Sequence, residues 1–357
     1  MHIPDGYLSP QTYAPAYGVM LPIWWRASSV LRKSLRNRQV PILALGAAFS
    51  FVIMMFNVPI PGGSTGHAVG AVLVAILLGP WAAVVAVTIA LVIQALMFGD
   101  GGVTAIGANC LNMAVLMPFS GWAVYRLVAR GAPIDSRRHW VGAAAGGYVG
   151  LNVAALATGI MFGVQPAMAH DAAGHALYCP FGLKAAIPAM CGTHLLVFGW
   201  VEAIVTGLVI AYLQRVEPGL IPAPRTASRS LRNGAGAGAR RIGAVVAALA
   251  LISPLGLYLP ARFGAGTAWG EWSADEIAKL AGYVPKGLHH EAWKAPMPDY
   301  SLPGRESAPL AAQGVVYVVA AVAGVGLTML CAYAAKKSIW RKSVEVDSGV
   351  DAPADGA

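Results

Sequence analysis

The sequence opens Met1-His2-Ile3-Pro4-Asp5-Gly6, with a histidine directly after the first methionine. With a free α-amine, that order has a specific coordination chemistry. The Met1 amine and the His2 backbone nitrogen close a five-membered ring on a metal ion. The same backbone nitrogen and the His2 imidazole close a six-membered ring beside it. Three nitrogens then lie in one plane, and a fourth position stays open. Displacing an amide proton needs a strongly polarising cation. Affinity rises toward Ni²⁺ and Cu²⁺ in the divalent series, and these ions suit square-planar nitrogen ligation. Pro4, Asp5 and Gly6 supply turn chemistry that folds the terminus back toward the protein.

His67 is the candidate for the fourth nitrogen. It lies in Pro61-Gly62-Gly63-Ser64-Thr65-Gly66-His67, a glycine-rich loop at the start of an apolar run. One histidine beside an apolar run is ordinarily structural, and position two is occupied in every protein. The two together become a metal site only if the chain brings them to the same face.

What must bring them there follows from composition. Of 357 residues, 57% are hydrophobic and 11% are charged, with a mean hydropathy of +0.61. A soluble domain carries about 25% charged residues. The 25 basic and 16 acidic side chains are too few to cover a soluble surface of this size. A soluble enzyme, a nucleic-acid binder and a disordered scaffold are excluded, leaving an all-α polytopic membrane protein. Cys110, Cys179, Cys191 and Cys331 have no C-x-x-C spacing, so neither a disulfide framework nor a zinc site is expected.

A spanning helix needs about 20 mostly apolar residues. Nine segments qualify: 11–31, 39–57, 64–79, 81–98, 104–126, 140–163, 183–214, 242–258 and 312–335. The run 64–98 is broken only at Gly79-Pro80 and is counted by parity. Lys and Arg collect in cytoplasmic loops, and four clusters stand out: Arg26 to Arg38, Arg126 to Arg138, Arg215 to Arg241 and Lys336 to Lys342. Together they hold 19 of the 25 basic residues. For the first two clusters to share a side, 64–98 must cross twice. The result is nine spans, with the N-terminus outside and the C-terminus in the cytoplasm of an inner (plasma) membrane protein. The first 25 residues lack a basic n-region and a cleavage site, so an uncleaved Met1 is expected on the outer face, the side of the His67 loop.

Four parts follow. Residues 1–214 hold seven spans with short connections. Residues 215–241 are a cytoplasmic linker rich in Pro, Gly, Ser and Arg. Residues 242–335 form a two-span hairpin with an outer loop at 259–311. Residues 336–357 are a cytoplasmic tail ending in a small-residue and acidic run. No internal repeat is visible, which weighs against an inverted-repeat permease.

The stretches MHIPDGYLSP, GGSTGHAVG, GANCLNMAV (107–115) and THLLVFGWVEAIVTG (193–207) resemble the substrate-capture subunit of energy-coupling-factor nickel/cobalt ABC transporters, the CbiM/NikM type. The resemblance covers about residues 1–214. It implies that Met1, His2 and His67 hold the metal through four nitrogens. It also implies partners: a transmembrane coupling subunit and two cytoplasmic ATPase subunits. The chain itself has no G-x-x-x-x-G-K-[ST] motif. The C-terminal hairpin, with GEWSADEIAKLAGYVPKG and APMPDYSLPG, is similar to the small accessory subunit of the CbiN/NikN type, here fused. That subunit is implied to help load or release metal.

Other polar residues are weighed as supports. Glu202 and His194 lie within the seventh span, where an ionisable group facing lipid costs at least about 2.5 kcal/mol, so both should face the bundle. Eight residues of helix leave them about 80° apart, reaching different neighbours. Asn109 and Asn112 share a face of the fifth span and can hold the N-terminal loop or a ligand's second ring nitrogen. Ser64 and Thr65 are candidates to brace the His67 loop. His170, Asp171, His175 and Cys179, and likewise His289 and His290, read as flexible polar loops. His139, beside Arg137 and Arg138, reads as a membrane-interface residue. The glycines in 144–150 predict close helix packing.

The expected function is capture of Ni²⁺ or Co²⁺ as transported ligand, with no resident cofactor, no nucleic acid and no enzymatic activity in this chain. A stand-alone metal permease or channel is the alternative. An intramembrane metalloenzyme is disfavoured by the missing H-E-x-x-H.

Overall fold

The computed structural model describes residues 1–35, 39–60, 64–221, 235–264, 270–289, 292–305 and 308–347. Helix α1 (Pro10–Ser34) begins at a proline, whose missing N–H costs nothing in a first turn. It ends among Arg32 and Lys33, which suit the negative end of the helix dipole. Helix α2 (Val40–Met54) is apolar all round, and every residue except Pro41 and Gly46 is buried. It forms the centre of the bundle.

The chain then departs from the expected helix over 64–79. Val58–Pro59 (β1) pairs antiparallel with Thr65–Gly66 (β2), and α3 covers only Ala71–Leu78. Eight residues rise about 12 Å, against the roughly 30 Å of a bilayer core. Ser64, Thr65 and Gly66 favour turns over helix, and residues 64–70 enter as non-helical backbone. Such backbone is tolerated at membrane depth only when it is buried in protein. Residues 64–69 are buried throughout.

Gly79, at φ 91°, turns the chain directly into α4 (Pro80–Phe98). The two helices pack side by side, so the apolar run 64–98 is two elements, not one long helix. Helix α5 (106–128) follows, then α6 (Arg138–Gly163) and α7 (Leu183–Val216). Gly121 on α5 faces Gly146 on α6, and the close crossing there is the one the glycine pattern of 144–150 predicts. After the linker come α8 (Ala235–Ile252), α9 (Leu255–Phe263), α10 (Ala274–Ala281) and α11 (Leu310–Asp347). Pro254 interrupts α8 and α9.

Among the described residues, five helical segments are individually long and apolar enough to cross a membrane: Pro80–Phe98, Arg138–Met168, Leu183–Val216, Gly238–Phe263 and Leu310–Ala335. Large apolar side chains such as Leu196 (78% exposed), Leu208, Leu251 and Leu330 point outward, as a lipid-facing surface requires. The molecule is an all-α, multi-pass membrane protein. The turn after α5, the end of α7 and the start of α8 meet at one end, where Gln214 donates to the carbonyls of Ile134 and Ser136 and Arg241 donates to the Val216 carbonyl. The N-terminus, the 99–105 turn and the loops before α7 and α11 meet at the other end. There the Cys179 N–H donates to Tyr7 O, Gly287 N–H to Leu177 O and Met297 N–H to Met97 O. All four cysteines are free thiols.

Among the described residues, three helices contain π-helical turns: Gln94–Phe98 in α4, Cys110–Leu116 in α5 and His194–Phe198 in α7. Such turns are frequent at functional sites. Two of these three contribute a residue to the cluster described next, and the third directly follows one.

Candidate metal centre

The start of the chain is held inside the protein by its own backbone. Met1, His2 and Ile3 are buried. The Ile3 N–H donates to Asn109 Oδ1 (2.9 Å), and Asn109 Nδ2 donates back to Ile3 O (3.1 Å). The Gly102 N–H also donates to Ile3 O (2.8 Å). Asp5 then accepts from the N–H groups of Val103 and Thr104 and from the Thr104 hydroxyl. A two-sided pairing of this kind fixes both the depth and the direction of the terminus.

The second strand of the site is the β2 loop. Gly66 has no side chain where the Phe198 ring of α7 lies, and a Cβ there would overlap it. His67 Nδ1 is 3.1 Å from Ala68 O. A carbonyl only accepts, so Nδ1 carries the proton and Nε2 carries the free lone pair. The His2 and His67 rings lie 4.8 Å apart, centroid to centroid, at an interplanar angle of 30°. Among the described residues, neither Nε2 has a hydrogen-bond partner.

His2 Nδ1 is 2.5 Å from Asp100 Oδ1. Burial acts to raise the Asp100 pKa, but the neighbouring His2 and the hydrogen bonds from His2 and Tyr300 outweigh it. They hold this carboxyl below the ordinary range. The Met1 amine is shifted down as well, for a different reason. Burial lowers its pKa below 8.0 despite the attraction of Glu271 and Asp100. Its N–H groups reach Thr65 O at 3.5 Å.

The supporting residues separate into two sets. Asn109 binds Ile3, as above, whereas Asn112 turns away to Thr158 Oγ1 (3.0 Å) and Met161 on α6. Ser64 Oγ sits 3.0 Å from Thr193 Oγ1, which ties the loop to α7. Glu202 Oε2 accepts from the Val69 and Gly70 N–H groups (2.8 and 3.2 Å), and its other oxygen accepts from Thr206. A buried carboxylate thereby satisfies the unpaired backbone that irregular structure leaves in the membrane. His194 Nδ1 donates to Met190 O (2.7 Å), so it braces its own helix turn.

Four contributors carry no motif. Asp100, on His2, is a single acid in a glycine turn. Gln94 Nε2 donates to Asp100 Oδ2 (3.1 Å), and Tyr300 OH donates to the same oxygen (2.5 Å). Glu271 accepts from Thr65 Oγ1 and lies 3.8 Å from the Met1 amine. A polar residue inside an apolar run marks Gln94 and a lone outer acid marks Asp100, but neither signal has a spacing to read.

Other histidines lie elsewhere. His139 is buried, with Nδ1 2.8 Å from the Tyr125 hydroxyl. This corrects its reading as an interface residue: the turn 129–137 folds it between α5 and α6. The loop of His170 and His175 is an ordered turn around Asp171, which accepts from the Ala173 and His175 N–H groups. Cys179 is buried. His289 ends the short helix Lys286–His289, and His290 lies outside the described residues. Among the described residues, no three His, Cys, Asp or Glu side chains gather as a metal-holding group.

Residues 2–220 match the CbiM family, the cobalt uptake substrate-specific transmembrane region. The chain belongs to this family. Residues 240–341 match the PDGLE domain, so a CbiM-type region and an accessory region are fused in one polypeptide. The chain is 48% identical to the fused nickel transport protein NikMN of Rhodobacter capsulatus, over 92% of this chain and 94% of that one. It is 44% identical to the probable fused nickel transport protein LarMN of Lactiplantibacillus plantarum, over 85% and 90% respectively. A crystal structure of a transition metal transporter is also similar, at 54% identity and a TM-score of 0.58. That match covers 60% of this chain and 93% of the other.

Proposed function

We propose that this chain captures Ni²⁺ or Co²⁺ at the Met1–His2–His67 end and serves as the substrate-specific component of an energy-coupling-factor uptake transporter. Membership of the CbiM family supports the coarser statement, a membrane component of metal uptake. The four-nitrogen site is supported chiefly by one observation, the 4.8 Å separation of the His2 and His67 rings. With metal–nitrogen bonds of about 2 Å, two imidazoles bound cis to one ion have centroids about 4.5 Å apart. The position left open by the N-terminal chelate is cis to the His2 imidazole.

The residues divide the work. Met1 gives its amine, His2 its backbone nitrogen and ring, and His67 the fourth nitrogen. Asn109 and Glu202 hold the two segments that carry them. The ion is cargo and passes inward, driven by a separate transmembrane coupling subunit and two ATPase subunits. Purified full-length protein should bind Ni²⁺ tightly, and His67→Ala should lose that binding. Cells expressing the chain should accumulate metal only with the coupling and ATPase partners present. Uptake without them favours a stand-alone permease.

A further inference from the structure

The accessory region sends one carboxylate into the proposed site. Glu271 lies between α9 and α10, with Oε1 3.8 Å from the Met1 amine, and it accepts a hydrogen bond from Thr65 Oγ1. Met1 leads directly into His2, and Thr65 precedes His67 by two residues. A single side chain therefore bridges the two segments that carry the proposed nitrogen donors. Its neighbours are fixed. Tyr7 OH donates to Trp272 O (2.7 Å), and the Trp272 ring packs edge-on against Phe181 at 5.4 Å. Ser273 and Glu276 start α10 with a reciprocal cap. The Glu271 side chain is 28% exposed while the Met1 side chain beside it is fully covered, so the carboxylate stands at the rim of the site.

We infer that Glu271 is a positioning residue for metal capture, contributed by the accessory region. The inference rests on the four-nitrogen reading. An amine bound to a divalent ion keeps two N–H groups, and coordination makes them stronger donors. A carboxylate receiving one of them makes a charge-assisted hydrogen bond that fixes the direction of the amine. The second interaction, from Thr65, holds the His67 loop to the same anchor. There is an electrostatic part as well. A divalent ion that has displaced one amide proton leaves a single positive charge in a buried place, which is costly without a counter-charge. Glu271 supplies one at the rim, and Asp100 supplies another beneath. On this reading, the fused accessory region completes the surroundings of an amine 270 positions earlier in the chain.

The test uses purified full-length protein, Ni²⁺ alone and a competing chelator, with the absorption spectrum of the bound ion recorded. Glu271→Ala is expected to bind Ni²⁺ about 10- to 100-fold more weakly, the usual cost of losing a group that orients a metal ligand. Its spectrum should be unchanged, because the ligands are unchanged. Glu271→Gln keeps the shape and one acceptor oxygen, folds alike, and should recover part of the loss. Wild-type affinity in Glu271→Ala overturns the inference. An altered spectrum in Glu271→Gln also overturns it, since that makes the carboxylate a direct ligand. His67→Ala is measured in parallel. If it binds Ni²⁺ like the wild type, the four-nitrogen reading itself fails. If it loses binding while Glu271→Ala keeps it, only the role of Glu271 fails.

Discussion

His2 Nδ1 and Asp100 Oδ1 are 2.5 Å apart, and Nδ1 is the ring nitrogen that a chelate through the Met1 amine and the His2 amide must use. Asp100 is pinned from its other oxygen by Gln94 and Tyr300. An ion captured by the proposed chelate must therefore take Nδ1 away from a fixed carboxylate. Two effects oppose each other in Asp100→Asn. Losing a charged hydrogen bond frees Nδ1, worth about 1.5–3 kcal/mol. Losing a negative charge near the ion costs about 4 kcal/mol for unit charges 4 Å apart at an effective dielectric of 20. The charge term is larger, so Asp100→Asn should bind Ni²⁺ about tenfold more weakly, one decade being about 1.4 kcal/mol. A chelator-competition titration measures this, and tighter binding would show that the competition for Nδ1 dominates.

Register at the terminus is a sharper test. An alanine inserted between Met1 and His2 moves the imidazole out of the six-membered ring while leaving both side chains present. High-affinity Ni²⁺ binding should disappear in a titration of this variant. Wild-type binding would remove the Met1 amine and His2 amide from the site.

The pH dependence follows from the amine. It binds metal only when neutral, and burial holds its pKa below 8.0. The neutral form therefore persists to lower pH than at an exposed terminus. Acid returns protons to the amine and imidazoles and opposes the metal. Each bound ion also displaces the His2 amide proton, so affinity should fall throughout the range from about pH 8 to about 5.5, and fall more steeply once the amine takes up its own proton. Equilibrium binding across that range decides it. A steepening that begins at or above the ordinary amine value contradicts the buried amine, and constant affinity contradicts nitrogen ligation altogether.

Glu202 offers a test of the irregular entry into the membrane. Glu202→Ala leaves the Val69 and Gly70 N–H groups without their acceptor. Each orphaned buried donor costs about 1–3 kcal/mol. The variant should show a lowered thermal midpoint in detergent and weaker Ni²⁺ binding through the His67 loop. A midpoint equal to the wild type would show that other groups satisfy these amides.

Much of this was legible in the residues. The scarcity of charge required a membrane, and the basic clusters separated the ends of the bundle. The His2 spacing and the glycine loop around His67 pointed to two segments that the fold brings within one ring contact. The expected helix over 64–79 failed because hydropathy counts side chains and ignores backbone. Gly62 to Gly66 cannot hold a helix, and the amides beyond them need Glu202 from 133 residues away. Asp100, Tyr300 and Glu271 were invisible for a related reason. Each is one polar residue in a loop, given meaning only by contacts across 98 to 270 positions.

The docking of the 270–273 segment on Met1, Thr65 and Tyr7 has a stoichiometric consequence. Because both partners belong to one polypeptide, their meeting is unimolecular, with an effective concentration in the millimolar range for a short flexible tether. Every copy then carries its own carboxylate at the rim, whatever the expression level. In a split pair of subunits, the fraction of capture sites so equipped would rise and fall with the abundance of the smaller one.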